Sequence, residues 1–411
     1  MKNSNIQWIG EISNDWEVVR FKYLHNGLNT GESIDKQYWT SDTEKSFFYT
    51  AGIEPIHSTY SKFPKWKYTK ANDILLARNG TPYVYFPYLN ALYSDHIIRA
   101  DIKGEFDKRF IRYSLQQSIA SVMVDTVSIP TWSASLWNEQ SIPLPPLATQ
   151  TLIADYLDAK CSEIDGLIAD INKQIETLNE LKKSTITEAV TKGLNKNAKL
   201  KDSGIQWIGM IPEGWSVTKG KYMFAQRNER GNNIKLQLLT PSQKYGVIPQ
   251  SEYEKISGMT AVKLNEKTDL NLLKTIHVGD YCISLRSFQG GFEYSKNEGV
   301  CSPAYQIFYA ITTINKIYYR YLFKTSVFID KMNSFTLSLR DGKNIAFSDF
   351  GNTYIPIPPL TEQHAIATYL DTKCTEFDSI ISDKQKQIST LEAYKKSLIY
   401  EYVTGKKEVE L

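Results

Sequence analysis

Cysteine is scarce. Cys161, Cys282, Cys301 and Cys374 are the only four in 411 residues, no two form a CxxC pair, and no histidine stands at ligand spacing from them. That argues against a zinc framework and for reduced thiols in a cytosolic protein. Long apolar runs are also missing: nothing approaches the ~20 residues of a membrane span. The polar start Met1-Lys2-Asn3-Ser4-Asn5 has no signal-peptide character, so the expected location is cytoplasmic. No Gly-x-x-x-x-Gly-Lys-Ser/Thr phosphate loop is present, and no glycine-rich strand-to-helix fingerprint for a nucleotide or S-adenosylmethionine. The five histidines, His25, His57, His96, His277 and His364, are scattered, and none has a recognisable base-and-orienter neighbourhood. Catalysis and resident cofactors are not expected.

What remains is an ordinary globular composition, 42% hydrophobic and 23% charged, long enough for two or three domains. The net charge of +3 permits a nucleic-acid partner without requiring one.

The chain's main feature is that it repeats itself. Ile142-Pro143-Leu144-Pro145-Pro146-Leu147, Gln150, Tyr156-Leu157-Asp158 and Lys182-Lys183-Ser184 return 213 residues later as Ile355-Pro356-Ile357-Pro358-Pro359-Leu360, Gln363, Tyr369-Leu370-Asp371 and Lys395-Lys396-Ser397. About 29 of roughly 50 aligned positions are identical, far above chance for one internal period. A shorter opening motif repeats too: Ser4-Asn5-Ile6-Gln7-Trp8-Ile9-Gly10 returns as Ser203-Gly204-Ile205-Gln206-Trp207-Ile208-Gly209, and Trp16 as Trp215. Each half therefore reads as opening motif, variable globular segment, proline-rich hinge and long helix.

The variable segments are rich in Tyr, Phe, Ile, Val and Gly between turn residues, which predicts mixed α/β domains with short strands. Strands are expected at 73–78, 83–86 and 280–285, the first and third being equivalent, with helices over 107–122 and 316–332. Three prolines in four residues force each hinge into extended geometry. In the helix that follows, Leu157, Cys161, Ile164, Ile168, Ile171, Ile175 and Leu178 recur at steps of four and three. Leu370, Cys374, Phe377, Ile381, Ile388 and Leu391 keep the same phase, broken once by Lys384. A heptad seam needs a partner helix, and the obvious partner of each copy is the other. An antiparallel pair places the two globular domains at opposite ends of the helices, related by an approximate two-fold axis. Lys182 and Lys395 fall on the seam near its ends, where a long stem can cover apolar surface.

Two variable domains, each followed by IPLPPL or IPIPPL, a Gln three residues on and IADYLDAKCSEID or IATYLDTKCTEFD, resemble the specificity subunit of Type I restriction–modification systems. The IQWIGEI and IQWIGMIPEGW openings fit the same family, and the resemblance covers essentially the whole chain. Copy two carries the family's Glu-Gln as Glu362-Gln363, whereas copy one has Thr149-Gln150. The resemblance implies an α+β fold in which two mixed α/β target recognition domains are separated by a pair of long antiparallel coiled-coil helices, with internal pseudo-two-fold symmetry. The corresponding boundaries are 1–145 and 200–358 for the recognition domains, 146–199 for the first helix and linker, and 359–411 for the second helix and tail. It implies a non-catalytic reader of bipartite, asymmetric double-stranded DNA that docks two methyltransferase subunits and, in the full complex, restriction subunits. S-adenosylmethionine, ATP and Mg²⁺ would sit on those partners, none in this chain.

A DNA reader needs Lys and Arg for phosphates and Arg, Asn, Gln, Ser or Thr on loops for base edges. In the first domain the candidates are Lys65 and Lys67, in a basic-aromatic run with Trp66, and the turn Arg78-Asn79-Gly80-Thr81 with Tyr83. Trp66 could equally pack into the core. In the second they are Arg227 and Arg230, Gln243-Lys244-Tyr245, Arg286, Ser287 and Gln289, and Arg340, Lys343 and Asn344. Because two copies of one methyltransferase would dock, residues present in both halves are the better docking candidates: Gln150 with Gln363, and Tyr156 with Tyr369. The competing reading is a coiled-coil interaction scaffold whose variable domains bind proteins; a third is an enzyme of unrecognised site.

Overall fold

The computed structural model describes all residues except 81, 121–130, 231–235, 260–269, 285–290, 336–344 and 410–411. The fold is mixed helix and strand, and the chain divides into two units: Met1–Ile171 with Gln385–Leu411, and Asn172–Lys384. Each long helix contributes to both units, so each unit draws on both halves of the sequence.

In the first unit, strands His25–Thr30, Ile97–Ile102, Asp73–Ala77 and Val84–Tyr85 form an antiparallel sheet in that spatial order. Asp73–Ala77 is buried along its whole length. Its side chains alternate between faces: Ile74 and Leu76 meet Phe110, Ile111 and Leu115 of the helix Lys108–Ala120, while Leu75 and Ala77 meet Phe48, Tyr49 and Leu92. A strand covered on both faces explains an unbroken apolar run where a half-exposed strand would alternate. The second unit builds the same sheet from Phe224–Arg227, Gln306–Ala310, Tyr281–Ile283 and Phe292–Tyr294. The strands beginning beside Asp73 and Asp280 therefore occupy the same place in their sheets. Rings of Phe224, Tyr281, Phe308, Phe323 and Phe350 fill that core edge to face or stacked.

The single helix expected over 316–332 is two, Lys316–Leu322 and Ser326–Asn333. Thr325 breaks it: its hydroxyl accepts from the Phe328 N–H, the arrangement of a helix N-cap. Apolar spacing continued through the break because Phe323 and Phe328 are both core residues.

The hinges are extended, as three prolines require. Ser141–Leu144 pairs antiparallel with Glu17–Arg20, and Tyr354–Ile357 with Ser216–Lys219. Both sheets have two strands, so the missing proline N–H interrupts no central ladder. The opening motifs share one turn: Gly10 and Gly209 lie at φ +69° and +68°, and Asn5 and Gly204 at +60° and +70°. Only glycine and asparagine adopt that left-handed conformation readily, which limits what can replace Asn5 in the second copy.

The long helices are Leu147–Lys192 and Leu360–Val403. Along both, the seam positions are buried or half-buried while most of the intervening residues are exposed. In the first unit Ile153, Leu157, Cys161 and Ile164 cluster with Leu398, Tyr402 and Val403, and Tyr156 lies 4.5 Å from Tyr402, ring to ring. In the second, Ala189 and Val190 cluster with Ile366, Leu370 and Cys374. The start of each helix thus packs on the end of the other. All four cysteines are buried and free.

Candidate nucleic-acid interface

Three contacts recur in both units: two attach the globular part to a long helix, and the third joins the two long helices to each other. The first is a glutamine staple. Gln150 accepts from the Asp107 N–H at 3.0 Å and donates to the Pro145 carbonyl at 2.8 Å; Gln363 accepts from the Asn315 N–H at 2.9 Å and donates to the Pro358 carbonyl at 2.8 Å. Each amide ties the head of a domain helix to the proline hinge. Both glutamines are 2% exposed, so neither side chain offers surface to a docking partner. The second contact is a tyrosine on an aspartate: Tyr113 donates to Asp158 at 2.8 Å, and Tyr321 to Asp371 at 2.7 Å. An arginine joins each from a different position of its helix: Arg109, four residues before Tyr113, on Asp155 and Asp158, and Arg320, directly before Tyr321, on Asp371. The third is a cross-helix pair, Lys395 with Asp165 and Lys182 with Asp378, each at 2.6 Å. The seam lysines therefore end on carboxylates of the opposite helix. Glu362, which copy one lacks, accepts from the Trp215 indole N–H at 2.8 Å. Of the tyrosines, Tyr369 is 37% exposed and Tyr156 is half-buried.

Against this repeated frame the loops differ. In the first unit, Lys65 and Trp66 are exposed on the 3-10 turn Lys65–Lys67, whereas Lys67 pairs with Glu32. Arg78 is exposed and donates to the Asp95 carbonyl at 3.3 Å; Asn79 bonds the His96 ring at 2.7 Å. Tyr83 is half-buried, 4.7 Å from Tyr85 ring to ring. The structure thus brings Arg78 and Asn79 together with Asp95 and His96, a neighbourhood that no sequence spacing suggested. Thr81 lies outside the described residues.

In the second unit Arg227 is engaged within the fold. Its guanidinium donates to both oxygens of Asp280 at 2.7 and 3.1 Å and lies 4.4 Å over the Tyr309 ring. Arg230 is exposed. Gln243, Lys244 and Tyr245 form the exposed tip of a hairpin between Leu239–Ser242 and Gly246–Pro249. Gly246 at φ +76° closes it, the geometry of a three-residue hairpin loop. That tip overhangs a cleft of about 540 Å³ whose walls carry Lys182, Lys244, Lys296, Arg320, Lys324 and Glu293. Lys324 pairs with Glu293, whose carboxyl burial pushes up to about 7. Nearby, His277 bridges Glu229 and Glu298 at 3.0 Å each, and the Glu229 hydrogen bond raises its pKa above the ordinary value. Arg286, Ser287, Gln289, Arg340, Lys343 and Asn344 all lie outside the described residues.

Sequence reasoning also passed over a pair that the repeat could have found. Lys22-Tyr23 and Lys221-Tyr222 occupy equivalent positions, with tyrosines 58% and 62% exposed and the lysine amine over each ring. No group of His, Cys, Asp and Glu among the described residues could hold a metal ion.

The model of the Type I restriction modification DNA specificity domain matches residues 13–177 and 212–390. The chain is 28% identical to the Type I restriction enzyme MjaVIII specificity subunit of Methanocaldococcus jannaschii, over 97% of this chain and 94% of that one. It is 27% identical to the putative MjaX specificity subunit of the same organism, over 98% and 96%. A solved chain from work on complex assembly and conformational transition of the type I R-M system superposes with a TM-score of 0.66, covering 97% of this chain and all of that one at 14% identity.

Proposed function

Because the chain belongs to the Type I restriction–modification DNA specificity family, we propose that it is the DNA-reading subunit of such a complex and is itself without catalytic activity. Each globular part reads one half of a bipartite, asymmetric duplex target. The two long helices form an antiparallel coiled coil, related by a pseudo-two-fold axis, that sets the gap between the halves. Two methyltransferase subunits dock on the repeated frame, with Tyr156 and Tyr369 as docking positions, and restriction subunits join the full complex. The recognition domains run over 1–145 and 200–358, and S-adenosylmethionine, ATP and Mg²⁺ belong to the partners. No helix among the described residues is long and apolar enough to cross a membrane; the assembly works in the cytoplasm, where its DNA is.

One observation carries this reading: the glutamine, tyrosine–aspartate and lysine–aspartate contacts recur at equivalent positions in both halves, while the exposed loops around them are not alike. A duplicated frame suits two copies of one partner, and unlike loops suit two unlike half-sites. A scaffold that binds proteins has no such need for exposed Lys65, Arg78, Arg230 and Lys244. The candidate DNA-contacting set is Lys65, Arg78, Asn79, Tyr83, Arg230, Gln243, Lys244 and Tyr245, with Lys67 and Arg227 supporting from within.

Mobility shift on random duplex, with and without a co-expressed methyltransferase subunit, tests it. Binding is expected, strongest at low salt where phosphate contacts dominate. Absence of binding in both samples at low salt refutes the reader, and methylation or cleavage by the isolated chain refutes its non-catalytic assignment.

A further inference from the structure

From Ser61 to Asn72 the first unit carries Lys62, Lys65, Lys67 and Lys70 and no acidic residue. The segment is pinned from beneath at three points. Phe63, 4% exposed, packs its ring edge on Tyr68 and Tyr93. The Lys70 N–H donates to buried Asp73 at 2.6 Å. Arg99, only 5% exposed, donates through one guanidinium nitrogen to the carbonyls of Trp66, Lys67 and Tyr68 at 3.1, 3.1 and 2.9 Å. Its Nε lies 3.6 Å from Asp73, whose carboxyl burial raises against the pull of that cation.

Three carbonyls converging on one buried arginine fix a turn firmly. What the turn displays is Trp66, 59% exposed, with the Lys67 amine 5.4 Å over its ring and Lys65 exposed beside it. An indole held in solvent by a fixed turn, within a lysine-rich segment of which Lys67 pairs with Glu32, has the chemistry of a polyanion contact. Lysines take phosphates, and the ring offers a flat apolar face to the sugars along a groove without demanding a sequence. An acidic protein could use the lysines, but nothing about such a partner requires the arginine-fixed turn.

We infer that the turn Lys65–Lys67 is a duplex-DNA contact of the first unit, with Trp66 as the contacting side chain and Arg99 as its positioning residue. This rests on the DNA-reading function proposed above. It extends that function to a residue the sequence left ambiguous between core and surface, and to one buried beneath it.

The test titrates the full chain with a random 30-base-pair duplex across a salt series, following affinity and tryptophan fluorescence. Trp66→Ala should weaken binding about tenfold, the order expected for burying part of a large apolar side chain, and leave the salt slope unchanged. Lys65→Ala should lower that slope by about 0.9, one phosphate contact. Trp66→Phe should remove a component of the DNA-induced fluorescence change. Arg99→Lys should weaken binding, and in the Trp66→Ala background should weaken it no further; a merely structural role would add to the loss. Trp66 is exposed, so its variants fold, and equal thermal midpoints confirm it. Wild-type affinity in Trp66→Ala with no change in the fluorescence response overturns the proposal. So does undiminished DNA binding combined with loss of co-purifying methyltransferase, which assigns Trp66 to a protein contact. If the wild-type chain and its methyltransferase complex both fail to bind, the reader function itself falls, and this inference with it.

Discussion

The glutamine staples make the sharpest distinction between frame and docking surface. Substituting Gln150→Leu puts an apolar side chain, one atom shorter, in its place and removes both hydrogen bonds. The Asp107 N–H and the Pro145 carbonyl lose their partner at a site 2% exposed. Each buried group left unsatisfied costs about 1–3 kcal/mol, so the variant should lose about 2–6 kcal/mol. Gln363→Leu removes the equivalent pair at Asn315 and Pro358 and should lose a similar amount. For a unit of this size each kcal/mol moves the thermal midpoint by about 2–4 °C. Denaturant unfolding of the full chain, with hydrogen exchange to separate the two units, gives both values. Gln150→Leu should loosen the unit of Asp107 and Gln363→Leu that of Asn315. A variant that keeps wild-type stability but fails to retain a methyltransferase subunit would refute the staple and return both glutamines to the docking surface.

Removing one heptad from each long helix, within 166–181 and 379–394, keeps both cross-helix Lys–Asp pairs and shortens the spacer by about 10.5 Å, or roughly 3 bp of duplex. The recognised half-sites should move closer and keep their sequences; altered half-sites across an unchanged gap would contradict the ruler. Glu293 should give the second unit a pH dependence. Its carboxyl holds a proton up to about 7 in the folded chain against an ordinary 4.5, so this contribution to stability is present below 4.5 and is lost as pH rises to about 7. Glu293→Gln should flatten that slope in thermal midpoint against pH, and an unchanged slope would show that another group causes it.

The helices were legible in the sequence because a period and a proline boundary are local facts. So was the equivalence of Asp73 and Asp280, each opening a buried strand. The partner of that aspartate was not legible. Asp73 meets Arg99, whereas Asp280 meets Arg227. The register explains the difference: Arg99 stands across from Asn29 in one sheet, and Ile307 across from Arg227 in the other, with Arg99 and Ile307 equivalent by their pairing to Leu75 and Cys282. The arginine has changed sides within one cross-strand pair, which conserves the ion pair and hides it from any comparison of the two halves position by position. For the same reason Arg227 looked like a loop cation free for phosphate. Gln150 and Gln363 misled in the opposite direction, because repetition marks whatever both units need, and both need the staple. Trp66 remained ambiguous because its turn is held by residues distant in sequence, among them Arg99, 33 residues away.

The central claim is that a duplicated frame carries two independent readers. Mapping of modified bases in cells carrying the complete complex tests it, comparing this chain with one whose residues 1–145 come from another family member. A bipartite, asymmetric modified sequence is expected, in which the exchange rewrites one half and leaves the other half and the gap intact. An exchange that rewrites both halves, or a modification pattern indifferent to this chain, would contradict it.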